Sequence, residues 1–313
     1  MALPYPEETL ELAPLNAAVT TKQHGLWGDA FRRLRRNRLA VFGAIVLVAL
    51  IVLAFSAEFI HAIERYDPFY DQDYDALLKG PSSAHYFGTD NLGRDNWARV
   101  LEGVRVSLQI GVGTQIVVVI IGLTVGGFAA LSGKFFDNIL MRITDITYAF
   151  PDLLFIILMR AVLQDRDWPI ISDARVQVIL AIALINWTTL ARLVRGQMLS
   201  LQERDYVTAA RAMGASQRRI VFTHMLPNTL GPVIVAVTFG VPIAIFAEAA
   251  LGFLGFGLQP PTVSLGRLVS EGYTYIQRNT WIVVFPSAAI AVLMLSFTFV
   301  GDGLRDALDP RTR

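Results

Sequence analysis

Cysteine is absent from the 313 residues of the chain, so disulfides and thiolate metal sites are excluded. The four histidines are scattered, and no two have the spacing of metal ligands, so we expect no metal site. The phosphate-binding motif G-x-x-x-x-G-K-[ST] does not occur, and the chain is therefore not expected to bind ATP. No apolar segment contains H-E-x-x-H or a Ser–His pairing, which argues against a membrane-embedded hydrolase. The chain is not expected to be an enzyme.

Charged residues are also scarce. They make up 17% of the chain, against about a quarter in soluble domains, while 54% of residues are hydrophobic and the mean hydropathy is +0.48. The apolar residues form long runs, and a helix needs about 20 of them to cross the hydrocarbon core. The sequence therefore predicts an all-α membrane protein. Its six candidate spans are Leu39–Ile60, Val106–Leu131, Ile139–Leu163, Val176–Ala191, Leu230–Leu258 and Trp281–Val300.

These spans divide the chain into successive parts. The first apolar run is longer than the core of a signal peptide, about 7–15 residues, so it is expected to stay as an uncleaved first span. The predicted parts are an N-terminal arm at 1–38, a first transmembrane helix at 39–60, an outer loop at 61–104, a core of five transmembrane helices at 105–301 that includes a long basic connection at 192–228, and a tail at 302–313.

Lysine and arginine predict the orientation, because cytoplasmic loops carry an excess of both. With the N-terminus inside, and with Arg142 counted at the edge of the third span, 17 of the 27 basic residues fall on the cytoplasmic side. The reverse orientation would place the arginine cluster between Arg32 and Arg38 outside. We therefore expect a multi-pass protein of the inner or plasma membrane with both termini in the cytoplasm.

Small residues recur in the second span at intervals of three to four. This spacing places them on one helix face, where the backbone of a second helix can approach closely. The residues concerned are Gly122, Gly126, Ala129 or Ala130, and Gly133.

Residues 192–228 are long for a connection between two spans and have a helical pattern. Ser200 and Glu203 fit a capping box for a first short helix, and Gly214 fits the left-handed residue after its end. The pattern suits either a helix that docks into a partner's groove or a solvated amphipathic loop. Further predicted signals are a cap at Ser216 for a second short helix, a chain break at Pro227 and a cap at Asn228 for the fifth span.

Four stretches of the chain resemble one family. Thr208-Ala209-Ala210, Gly214 and Leu226-Pro227 keep the spacing of the EAA loop of ABC importer permeases, although Thr208 and His224 replace its Glu and Ile. The other three stretches resemble the outer-loop signature, the ending of the fifth span and the tail of the C-type subunit in the dipeptide/oligopeptide/nickel subfamily. They are residues 87–108, 248–261 and 301–311.

The resemblance implies a type I ABC importer permease fold and a subunit that forms half of a translocation pathway for peptides or a related small solute. In this family the EAA helix sits in a cleft of a separate ATPase subunit and acts as a stiff lever. The residues that the resemblance assigns to this coupling are Asp205, Tyr206, Ala209, Ala210, Arg211, Gly214, His224, Pro227 and Asn228.

The resemblance also implies the partners. They are a B-type permease subunit that completes a heterodimer, two ABC ATPase subunits that hold ATP and Mg²⁺, an extracytoplasmic solute-binding protein and the lipid bilayer. No cofactor on this chain and no nucleic-acid partner are expected.

Two polar features each have two interpretations. Glu248, in the fifth span, either lines the pathway as a wall or gate, or makes an interhelical hydrogen bond that fixes the end of the span. Residues 86–105 either dock the solute-binding protein or form a lid helix along the membrane with paired charges. The residues assigned to docking are Asp90, Gly93, Arg94 and Asp95.

An ion-coupled secondary transporter is the alternative function. Such a protein could also have six spans and buried carboxylates, but it normally has a detectable internal repeat, and none is found here. The sequence does not determine the transported solute, which in the subfamily ranges over dipeptides, oligopeptides, nickel chelates and some sugars.

Overall fold

The computed structural model describes residues 26–164 and 172–309. Residues 1–25 of the predicted arm and 310–313 of the predicted tail lie outside this part of the chain. Within the described ranges the fold is α-helical, as predicted. The helices are α1 (Leu26–Leu34), α2 (Arg38–Ala57), α3 (His61–Glu64), α4 (Asn96–Leu131), α5 (Lys134–Tyr148), α6 (Asp152–Gln164), α7 (Ala174–Gln202), α8 (Asp205–Ala212), α9 (Gln217–Ile220), α10 (Leu226–Phe253), α11 (Leu265–Tyr273) and α12 (Trp281–Leu308).

The long helices form a bundle in which α4 and α7 run parallel and α10 runs antiparallel to α4. Five segments of the described chain are long and apolar enough to span a membrane. They are α2, α4, α7, the continuous stretch Gln217–Phe253 that includes α9 and α10, and α12. The pair α5 and α6 supplies a sixth if it is counted as one span. The prediction of about six spans is therefore confirmed. One end of the bundle carries α8 and α9, and we name it the α8 end; the opposite end carries α11 and is named the α11 end.

The predicted third span is not a straight helix. Within Ile139–Leu163 the chain bends by 94° between α5 and α6, at a break that contains Pro151. Proline has no backbone N–H, and its ring disfavours the helical conformation of the preceding residue, here Phe150. The prediction of one continuous span was wrong because it used apolar composition and gave too little weight to this proline.

Three helices are longer than predicted, which moves the boundaries of the loops. The outer loop ends at Asp95 and not at residue 104, because residues 96–105 are the first turns of α4. They are not a separate lid helix. Residues 192–202 continue α7, so the connection at 192–228 is shorter than predicted, and the first seven residues of the predicted tail complete α12.

The close contact between α4 and α7 lies on the predicted small-residue face. A Cβ atom on Gly126 would clash with the carbonyl oxygen of Ala191 and lie 2.9 Å from Cβ of Val194. A Cβ atom on Gly122 would lie 2.9 Å from Leu190. Gly133, in contrast, has open space around it, so the prediction is confirmed for two glycines and is wrong for the third.

Glycine also allows the first and last spans to meet. A Cβ atom on Gly303 of α12 would clash with Ala40 of α2, and one on Gly43 would lie 2.9 Å from Cβ of Phe299. Three buried apolar clusters fill the bundle, one toward the α8 end and two toward the α11 end. These contacts hold the helices together at short distances. Inside lipid the hydrophobic effect contributes little to helix association, so dispersion forces between closely packed atoms supply much of the stabilisation.

The glycine contact gives a direct test. Gly126→Ala is expected to lower the unfolding free energy by about 1–3 kcal/mol, because the added methyl group forces two backbones apart. Gly196→Ala is the matched control, since Gly196 lies in α7 with open space around it. The control should be neutral or stabilise by up to about 1 kcal/mol. The measurement is thermal unfolding of both variants in one detergent, and equal melting temperatures would contradict the packing.

Candidate functional site

The helices α8 and α9, which we name the coupling helices, are packed onto the bundle. Val207 and Ala210 of α8 and Ile220 of α9 are buried. They lie in one apolar cluster with Val194 and Met198 of α7. The coupling helices are thus packed against the C-terminal end of α7.

The opposite side of α8 is exposed. Asp205, Tyr206, Ala209 and Arg211 all lie on the surface, and Met213, which follows the helix, is 82% exposed. Of the predicted coupling residues in α8, only Ala210 faces the bundle. This surface carries charges of both signs together with Tyr206 and Met213, and tyrosine, methionine and arginine are enriched at protein interfaces.

The predicted capping signals at the two ends of α8 are confirmed only in part. Gly214 has a φ angle of +82°, and Ser216 accepts a hydrogen bond from the backbone N–H of Arg219, as predicted. The prediction of a capping box at Ser200 and Glu203 was wrong. Ser200 lies inside α7, Glu203 follows its last residue, and α8 begins after Arg204 without a side-chain cap.

The chain does not break at Pro227. Residues Val221–Met225 form a π-helical turn that joins α9 directly to α10, and the helix continues through Pro227, the second residue of α10. Asn228 is not a cap, because its Nδ2 donates to the carbonyl oxygen of His224 inside the helix at 2.6 Å. The ring of His224 lies 6.1 Å from that of Tyr206.

A network of buried charges lies at the α11 end. The carboxylate of Asp90 accepts hydrogen bonds from Nε of Arg94 at 2.7 Å and from Nη1 of Arg99 at 2.5 Å. Arg99 also donates from Nη2 to Glu271 of α11 at 2.8 Å, and Arg267 donates from Nε to the same carboxylate at 2.7 Å. The network therefore ties the outer loop, α4 and α11 together.

Two of the predicted docking residues are buried. Asp90 and Asp95 are 1% and 2% exposed. Asp95 caps α4 by accepting from the N–H of Ala98 at 2.9 Å and also contacts Nδ1 of His85 at 2.8 Å. Gly93 has a φ of +77°, and a Cβ atom there would clash with the backbone of Asp73. Asp90, Gly93 and Asp95 thus shape the loop, and no partner can contact the two carboxylates directly.

Sequence reasoning missed α11 and its Glu271. Burial alone would raise the pKa of Glu271, but the charges and hydrogen bonds of Arg99 and Arg267 outweigh it and hold the pKa below its usual value. The signal was present in the sequence: Ser264 is a helix cap, and Arg267 and Glu271 are an i,i+4 pair.

An open cleft of about 510 Å³ lies over this network. Arg94, Arg99, Arg267 and Glu271 are on its floor or walls, and residues of the outer loop and of the segment between α10 and α11 form its rim. Nε of Arg99 is buried and has no hydrogen-bond partner in the described part of the chain.

Glu248 is completely buried within the chain. Its Oε2 accepts a hydrogen bond from Oγ of Ser107 in α4 at 2.9 Å, and the same Oγ lies 3.4 Å from the backbone nitrogen of Leu265, which donates to it. Ser264 also lies near the carboxylate, whereas Oε1 has no hydrogen bond of normal geometry in the described chain. This geometry favours the interhelical role of Glu248 over a position on a pathway wall.

Comparisons with known proteins identify the family. The family described as "Binding-protein-dependent transport system inner membrane component" matches residues 122–313, which is more than half of the chain. The chain belongs to this family. The family "N-terminal TM domain of oligopeptide transport permease C" matches residues 25–81. The chain is therefore a non-catalytic, multi-pass permease subunit of an ABC importer in the inner membrane, and the secondary-transporter alternative has no support.

Relatives match over almost their whole length. The chain is 39% identical to the oligopeptide transport system permease protein OppC of Bacillus subtilis, with 98% of each protein covered. It is 39% identical to the dipeptide transport system permease protein DppC of Alkalihalophilus pseudofirmus, covering 92% of this chain and 90% of the relative. It is 37% identical to the glutathione transport system permease protein GsiD of Pectobacterium atrosepticum, covering 92% of each.

The fold is that of a type I ABC importer permease. A chain of the inward-facing MetNI methionine ABC transporter superposes with a TM-score of 0.53 at 22% sequence identity. The match covers 67% of this permease and 96% of that chain.

The charge network predicts a pH-dependent stability. Glu271→Gln is expected to lower the melting temperature at pH 7, because Arg99 and Arg267 lose a negative partner. The folded-state pKa of Glu271 is depressed, so its contribution is complete above the unfolded pKa of about 4.3 and is lost as pH falls through the folded value. The two proteins should therefore converge only below about pH 4.

Thermal unfolding in detergent from pH 7 into acid measures this difference. Glu203→Gln, the same change at an exposed position, is the control and should leave the melting temperature unchanged. Wild type and Glu271→Gln melting together at pH 7 would refute the role of the network.

Proposed function

We propose that this permease imports di- or oligopeptides, or a related small solute, driven by ATP hydrolysis on separate subunits. The observation that carries the proposal is the α8 helix, which is held by buried Val207 and Ala210 and presents an exposed face at one end of the bundle. The names of the relatives, which specify oligopeptide, dipeptide and glutathione transport, support the class of solute.

The proposed partners follow from this role. Two ABC ATPase subunits hold ATP and Mg²⁺, and one of them receives the exposed face of α8. A B-type permease completes the translocation pathway as a heterodimer. An extracytoplasmic solute-binding protein delivers the solute to the α11 end, so the α8 end and both termini lie in the cytoplasm, as the distribution of basic residues predicts.

The coupling helices act as a rigid lever in this proposal. Closure of the ATPase dimer displaces α8, and the buried contacts of Val207 and Ala210 with the end of α7 pass the motion into the membrane. The turn at Gly214 and the continuous path from α9 through the π-helical turn into α10 extend the same lever to a second span. A flexible loop would absorb such a displacement.

The proposed docking surface for the binding protein is the rim of the cleft at the α11 end. Leu92 and Tyr70 are exposed there, whereas Arg94 is largely covered. The buried carboxylates of Asp90 and Asp95 hold the rim in shape. The docking role of these residues is thus indirect, through the loop that they fold.

Reconstitution tests the transport function. The chain is coexpressed with its B-type permease, the ATPases and the binding protein. The purified complex is placed in proteoliposomes, and ATP with an ATP-regenerating system is supplied on the side of the membrane that the ATPases face. We expect uptake of labelled peptides that requires both ATP and the binding protein. Uptake that continues without ATP but follows an ion gradient would reject the proposal.

The lever gives a second prediction. Gly214→Val places a β-branched residue at a φ of +82°, which costs about 1–2 kcal/mol of backbone strain and distorts the turn after α8. The complex should still assemble and hydrolyse ATP, while peptide uptake falls about tenfold or more per ATP consumed.

Gly214→Asn is the matched control, because asparagine tolerates the left-handed conformation. It should retain most of the uptake. A Gly214→Val complex with normal uptake at a normal ATPase rate would reject the lever.

A further inference from the structure

A second cavity lies midway along three of the candidate membrane spans. It has a volume of about 280 Å³ and is formed by α4, α7 and α10. Gln115, Asn186 and Gly240, one from each helix, lie near the midpoints of those helices and line it. It lies between the coupling helices and the charge network, and its lining residues Val118 and Leu190 belong to the apolar cluster that also contains Val207 of α8.

The cavity combines polar and apolar walls but contains no charge. Gln115, Asn186 and Thr189 supply its polar groups, and apolar side chains, among them Val118 and Ile243, supply the rest. In the part of the chain that the structure describes, none of these three polar side chains has a hydrogen-bond partner. Groups left unpaired in hydrocarbon cost several kcal/mol each, so hydrogen-bond partners for these side chains are expected from water, a solute or a neighbouring chain.

Glycine makes room for the most buried of these groups. Gln115 is 5% exposed, and its side-chain amide lies against the backbone of Gly240, where an added Cβ atom would clash with it. An amide placed so closely against a glycine is held in one position and opens into the cavity. Thr189 and Ile243 are exposed on the surface of the single chain, so the cavity is open on the side that they occupy.

We propose that Gln115, Asn186 and Thr189 form this chain's half of a solute-contact site in the middle of the pathway, which holds the backbone amides of a peptide. The inference rests on the proposed function. Each carboxamide offers both a donor and an acceptor, as the peptide bond does. Because the residues that line this cavity carry no charge, the contact does not depend on the charge of the peptide's side chains. The apolar walls can receive peptide side chains of many shapes.

Charge selectivity tests the contact. Gln115→Glu, in the complete reconstituted complex, places a negative charge in the cavity. The ratio of uptake of a lysine-containing tripeptide to that of a glutamate-containing tripeptide should rise about tenfold over the wild-type ratio. A merely structural defect lowers both rates together and leaves the ratio unchanged.

A second variant removes a polar side chain from the cavity. Asn186→Leu should lower the maximal uptake rate of a neutral tripeptide about five- to tenfold, since hydrogen bonds to the passing amide are lost. Thr124→Val is the matched control: Thr124 lies on α4 outside the cavity and bonds only to its own helix backbone. The control should transport at the wild-type rate.

Access to water gives a readout that does not depend on transport. Since the native chain has no cysteine, Thr189→Cys introduces a single thiol into it. A charged, membrane-impermeant thiosulfonate should modify Thr189→Cys in at least one of the resting and ATP-trapped states, as measured by mass spectrometry of this chain. Ile120→Cys, on the exposed apolar face of α4, should stay unmodified.

The outcomes separate the two proposals. If the wild-type complex takes up peptides but Gln115→Glu leaves the uptake ratio unchanged and Thr189→Cys never reacts, the central site is refuted and the importer remains. If the wild-type complex takes up no peptide, the proposed function fails, and the amide site fails with it.

Discussion

The close approach of α4 and α7 is the contact on which the rest of this permease depends. At Gly126 the two backbones come so near that no side chain fits between them. The same two helices reach every functional region. The first turns of α4 hold the charge network at the α11 end, the centres of both helices line the second cavity, and the last turns of α7 carry the coupling helices. In the proposed mechanism, a motion received at α8 reaches the other regions through this one helix pair.

Hydrogen bonding in a medium without water explains why polar residues are distributed as they are. At the α11 end, Arg99 pairs with both Asp90 and Glu271, which allows three charges to be largely buried next to the ends of the spans. Within the bundle, Glu248 is bonded to Ser107 and joins α4 to α10. Gln115 and Asn186 have no such partner in the described chain, and on this difference rests our proposal that they face the pathway.

The sequence predicted features that depend on local chemistry. Apolar runs predicted the spans, Gly214 and Ser216 predicted the turn between the coupling helices, and the spacing of Gly122 and Gly126 predicted a packed face. The errors occurred where local signals compete. Ser200 with Glu203 has the pattern of a helix start, but the apolar face of α7 continues to Met198 and its packing extends the helix past the serine. Pro227 was predicted to break the chain, yet the π-helical turn before it lets the helix continue through the proline.

Composition, the order of spans and the family signatures are properties of the chain as a string, so the sequence by itself determined the class of protein, the number of spans and the position of the coupling segment. The burial of a residue and its hydrogen-bond partners depend on which distant residues meet. Only the tertiary structure decided them. Glu248 and Gln115 are both polar residues within apolar runs, and nothing local distinguishes them. They differ because a serine of α4 faces one of them and an open cavity faces the other.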